Sequence, residues 1–94
     1  MFTPEGALNI IRNVAVEKGA MLCNFGQSET LTLDVVHIAP EDYSITVIRQ
    51  NAVFDDMNRR YKDKILHTYR RVTDDMLPYV IGKIFAYDFK KAVR

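Results

Sequence analysis

The sequence predicts an α+β domain: an N-terminal helix, a two- or three-stranded antiparallel meander, and two C-terminal helices packed on the sheet. Three observations carry this. Residues 29–49 alternate apolar and polar side chains in two runs split by turn chemistry. Residues 4–18 and 53–72 place apolar side chains at steps of three and four. The chain has 94 residues and no internal repeat or linker, which fits one domain spanning 1–94.

The first helix is expected at about 4–18. Thr3 can cap it, Pro4 suits its first turn, and Glu5 complements the helix dipole. Ala7, Leu8, Ile11, Val14 and Ala15 form its apolar face, and Gly19 is placed to end it with positive φ. The apolar stretch Ala20–Phe25 reads as a short strand. Leu31, Leu33 and Val35 then alternate with Thr30, Thr32 and Asp34, as in a strand with one buried face.

Ala39-Pro40-Glu41-Asp42 is turn chemistry, and Tyr43–Arg49 alternates again. A loop of Pro40-Glu41-Asp42 sets Val35 opposite Val47 and His37 opposite Ile45. One face then holds Leu31, Leu33, Val35, Tyr43, Ile45 and Val47. The other carries Thr32, Asp34, Ser44 and Thr46, and also Val36, Ile38 and Ile48. Those three aliphatics, neighbours across the pair, suggest cover by a helix or by a second copy of the chain.

Phe54, Met57, Tyr61, Ile65, Thr68 and Val72 make the stripe of a helix over 53–72. Asp55 and Asp56 would sit in its first turn, each four residues before an arginine, Arg59 and Arg60. Thr73 is a candidate cap for a last helix that begins nearer Pro78 or kinks there. Leu77, Ile81, Ile84, Phe85, Phe89 and Ala92 suit one helical face. Tyr79–Tyr87 is also acceptable strand text, and length favours helix.

Hydrophobic residues make up 48% and charged residues 27%, which excludes disorder and low complexity. A single cysteine, Cys23, precludes an internal disulfide and points to a reducing compartment. The N-terminal residues lack the basic-then-apolar pattern of a secretory signal, and no apolar run spans a bilayer, so a cytoplasmic protein without a membrane partner is expected. Residues 1–47 carry a net charge of −4 and residues 48–94 a net +5. That asymmetry fits either an anionic partner for the C-terminal half or mutual attraction of the two halves.

No phosphate loop, nucleophile elbow or metal signature occurs, so neither a cofactor nor a catalytic residue is assigned. His37 falls on the inner face of the hairpin, and Cys23 in an apolar stretch where burial suppresses thiolate formation. A small enzyme or ligand binder would have its pocket near His37 or Cys23. The more prominent constellation is basic. Arg60, Lys64, His67 and Arg71 align on one face of a 53–72 helix, flanked by Arg59, Arg70 and Tyr69. Arg and Tyr are enriched at protein hot spots, and basic stripes with aromatics also meet phosphates. The expected function is therefore a small non-catalytic regulator, inhibitor or adaptor that acts by protein contact and self-associates. A nucleic-acid binder is the second reading, and a small enzyme or ligand binder near His37 and Cys23 the third.

Overall fold

The computed structural model describes residues 3–25 and 30–88, with side chains throughout except at 23–25, 30, 51–53, 87 and 88. The elements run α1 (Pro4–Arg12), β1 (Gly19–Phe25), β2 (Thr30–Ala39), β3 (Asp42–Asp55), β4 (Arg60–Val72), a 3₁₀ turn (Asp74–Met76), α2 (Leu77–Lys83) and a π turn (Ile84–Asp88). The four strands form one antiparallel sheet in the order β1-β2-β3-β4. The α+β class is as expected. The sheet has a fourth strand, and the region expected as the longer C-terminal helix is part of it.

Helix α1 starts as the sequence indicates, with Gly6 N–H donating to Thr3 Oγ1 at 3.1 Å. It stops at Arg12, short of residue 18. The Val14 carbonyl leaves the helix to accept from His37 Nδ1 at 2.7 Å, and Glu17 N–H donates to the His37 carbonyl at 2.6 Å. The left-handed residue is Glu17, at φ 70°, not Gly19. Gly19 instead opens β1, where an added Cβ would lie 2.9 Å from the Val35 carbonyl oxygen.

The β2–β3 hairpin keeps the expected faces but not the expected register. Val35 faces Ile45 and His37 faces Tyr43. The turn has two residues, with Glu41 at φ 56° and Ala39 paired to Asp42. Shortening the turn by one residue alone would invert both faces. An irregularity between His37 and Ala39 adds one more step, so the net shift is two and each side chain stays on its side.

α1 and α2 cover one face of the sheet. The core joins Ala7 and Ile11 of α1, Leu77, Val80 and Ile81 of α2, and Ile84 to the inner rows Leu22, Leu31–Leu33–Val35, Tyr43–Ile45–Val47 and Val72. Pro78 lies in the first turn of α2, where its missing N–H costs nothing, so the helix begins near Pro78. Residues 77–88 are helical, not strand. Phe89 and Ala92 lie outside the described residues.

Candidate functional site

Residues 60–72 are strand β4, paired to β3 from Asp55↔Arg60 to Tyr43↔Val72. The helical stripe is an arithmetic coincidence. Tyr61 and Ile65 are four apart, two strand repeats, on one face. One irregularity follows at Leu66, between the pairs Ile48↔Ile65 and Val47↔His67, and another at residues 70–71, where Arg71 has φ 55°. These supply the odd steps that imitate a helix.

β2 ends at Thr30, and its last partner on β3 is Arg49. Beyond Arg49, among the described residues, only β3 and β4 continue, as a two-stranded arm closed by the loop 56–59. Asp55 organises its tip. Its carboxylate accepts from Met57 N–H at 3.1 Å and Asn58 Nδ2 at 2.7 Å, and pairs with Lys62 Nζ at 3.1 Å. The hydrogen bond from Asn58, then Lys62 and the Met57 amide, hold its pKa below the usual carboxylate value. Asp55 thus caps a loop in place of a helix N-terminus. Arg59 takes φ 51° to close that loop.

Of the apolar residues in the supposed core stripe, Phe54, Met57, Tyr61 and Ile65 are at the surface, and Val72 is buried in the core. Phe54 and Tyr61 face each other across the arm with ring centroids 5.2 Å apart, edge to face. Both are exposed, and Met57 at the tip is 92% exposed. The sequence names Phe54, Met57 and Tyr61 correctly as a related set but assigns them to the interior. An exposed trio of this kind has no signal in periodicity; only the pairing of β4 reveals it.

The predicted basic residues divide into three places. Arg59 and Arg60 lie at the arm's tip and Lys64 further down it, opposite Arg49. Lys62, which the helical reading passed over, shares a side of the ribbon with Arg60 and Lys64 because strand side chains alternate. His67 and Tyr69 lie mid-strand, stacked at 4.1 Å, opposite Val47 and Ile45. Arg70 and Arg71 are exposed at the far end, about 33 Å from Arg60 at roughly 3.3 Å per strand residue. Arg60, Lys64 and His67 are thus spread along one strand, and Arg71 lies at the second irregularity, so the four do not form the stripe of a helix.

The three aliphatics of the hairpin do share the sheet face opposite the helices. Val36 and Ile38 are exposed, but the register moves Ile48 opposite Thr32 and beside Ile65 of β4, which is 64% exposed. Met21 of β1, 61% exposed, joins the same face opposite Asp34.

His37 is a structural clamp. Because a carbonyl only accepts, Nδ1 carries the proton donated to Val14. The ring lies flat on Tyr43 at 4.0 Å, and Nε2 is buried without a hydrogen-bond partner. Neither nitrogen is presented to solvent, so the ring is not placed for acid–base work on a substrate. Cys23 lies on β1 opposite Thr32; its side chain is outside those described. Tyr43 reaches further, to the next element. Burial, the Asp74 charge and a hydrogen bond to Asp74 raise its phenol pKa, against a smaller lowering by Arg12.

Among the described residues, no group of three or more His, Cys, Asp or Glu could hold a metal ion. No helix among them is long and apolar enough to cross a membrane. No protein-family model, curated protein or solved structure matches the chain.

Proposed function

We propose that the protein is a small non-catalytic binding protein, a regulator, inhibitor or adaptor that self-associates and engages a larger protein through the β3–β4 arm. The arm's tip carries the reading: Phe54, Met57 and Tyr61 are exposed together on a two-stranded projection whose closing loop also carries the exposed Arg59. Exposed aromatic, Met and Arg side chains in one patch are the composition of an interface centre. The surface it fits is an apolar pocket with an acidic rim.

A second reading, nucleic-acid binding, is favoured by the row Arg60, Lys62 and Lys64 along one side of a ribbon, a shape that a major groove admits. It has less support. Residues 54–64 carry four basic and three acidic side chains, and Lys62 is already paired with Asp55.

One experiment separates the two. The wild type and a Met57→Glu/Tyr61→Ser variant are used as bait, with nuclease treatment and a salt series. The expected result is a protein that binds the wild type in purified form, withstands nuclease, and loses at least tenfold affinity for the variant. Equal binding by both forms refutes the arm. Binding that nuclease abolishes, and that weakens steeply with salt, replaces a protein partner with nucleic acid.

A further inference from the structure

The two edges of the sheet are chemically opposite. β4 is guarded at both ends, by Arg60, Lys62, Asp63 and Lys64 and by Arg70 and Arg71, and its pairing is broken by an irregularity at Leu66 in the uncharged middle and another at residues 70–71. Charged side chains and bulges are the usual protection of an edge against another strand. β1 has none of this. Gly19-Ala20-Met21-Leu22-Cys23-Asn24-Phe25 contains no charge and no proline, pairs with β2 over all seven residues without an irregularity, and has no strand on its outer side among the described residues.

We infer that β1 is the self-association edge, and that a second copy of the chain adds its own β1 antiparallel to form a continuous eight-stranded sheet. This specifies the self-association named in the proposed function and is independent of the arm. The choice of occupant follows from charge. Pairing β4 with β4, or β4 with β1, would bring lysines and arginines against like charges or strip water from them. Only β1 against β1 opposes two uncharged strands.

The ladder fixes which atoms are available. His37 N–H donates to the Lys18 carbonyl at 2.9 Å, so Lys18 points its carbonyl at β2. By antiparallel alternation Ala20, Leu22 and Asn24 do likewise, and Gly19, Met21, Cys23 and Phe25 direct N–H and C=O outward. A two-fold axis beside Leu22 opposes Met21 to Cys23 and Gly19 to Phe25 in both directions. All four outward residues are then paired. It also joins the two exposed sheet faces through Met21. The contact is about 23 Å long, at roughly 3.3 Å per residue over seven residues. Such a strip lies at the small end of stable interfaces, so a reversible, concentration-dependent dimer is expected.

Sedimentation velocity from micromolar to millimolar protein tests this, with circular dichroism to confirm folding. Met21→Pro removes an outward N–H that β2 does not use, a tolerated position for proline on an edge. Met21→Lys instead adds a guard charge, which in the monomer sits opposite Asp34. Both should raise the dimer dissociation constant tenfold or more. Ile65→Lys, on the exposed face but remote from β1, should leave it unchanged, as should Met57→Glu/Tyr61→Ser. A wild type that stays monomeric at millimolar concentration overturns the inference. So does undiminished dimerisation by folded Met21→Pro and Met21→Lys. Loss of the dimer in Ile65→Lys alone would assign self-association to the sheet face instead.

Discussion

Tyr43→Phe removes one oxygen from the centre of the fold and leaves the rest in place. The ring is buried, lies flat on His37 at 4.0 Å, and stands between β2 and β4, opposite His37 and Val72. Phenylalanine keeps that packing. What is lost is the hydroxyl's bond to the Asp74 carboxylate, which ties β3 to the 3₁₀ turn leading into α2. A hydrogen bond to a charged group contributes about 1.5–3 kcal/mol. Asp74 is exposed and regains water when the phenol goes, so screening reduces the expected loss to about 1 kcal/mol. For a domain of this size that lowers Tm by about 4–8 °C.

The pH dependence gives the sharper test. The folded phenol keeps its proton at pH values where the unfolded one, near 10, has lost it. Its contribution is therefore whole below pH 10 and disappears as pH rises through the raised folded value. Subtracting the Tyr43→Phe stability curve from the wild-type curve, by urea unfolding between pH 7 and 11, should show a difference that shrinks only above pH 10. A double-mutant cycle with Asp74→Asn at pH 7 should give a coupling of about 1 kcal/mol. Strict additivity in that cycle, with a pH-independent difference curve, would refute the Tyr43–Asp74 link.

Two glycines should respond to alanine with opposite signs. At Gly19 the new Cβ would meet the Val35 carbonyl oxygen at 2.9 Å, a backbone atom that cannot swing aside, so urea unfolding should show a loss of about 1–3 kcal/mol. At Gly82, in α2 with nothing within 4 Å, alanine should add about 0.5–1 kcal/mol. Asp55→Ala should speed hydrogen exchange at the Met57 amide and unravel the arm's loop without exposing the core. Because hydrogen bonds from Asn58, Lys62 and Met57 lower the Asp55 pKa, the protection it provides should hold above about pH 4. It should fade as pH falls through the lowered value, and the variant should lack that acid limb.

The elements that were legible in the sequence are those whose signal is local. Thr3-Pro4-Glu5 marks the start of α1 because capping involves only neighbouring residues. The β2–β3 faces follow from a two-residue period that any even shift preserves, which is why a wrong register still named the right core. The end of α1 was not legible, because it is set by His37, twenty-three residues beyond Val14, competing for that carbonyl. β4 was hidden for a similar reason. Its two irregularities answer to the pairing with β3, and in one dimension they convert a strand's even steps into steps of three and four.

A helix and a hairpin arm use the same residues in opposite ways. On a helix packed against the sheet, Phe54, Met57 and Tyr61 would complete the core and leave a cationic stripe outside. As an arm, the segment keeps its apolar side chains in water and forgoes the stabilisation their burial would give, which leaves that burial available to a partner. The Asp55 bonds and the Phe54–Tyr61 contact hold the exposed tip in one shape, so little ordering remains to oppose binding. The charges sort in the same sense. They crowd the β4 edge, where a further strand would otherwise pair, and are absent from β1, where a second copy can. A protein that joins copies at one edge and presents two arms at the other would engage its target twice. The second engagement is then intramolecular, so avidity rises with dimerisation wherever both arms reach their sites.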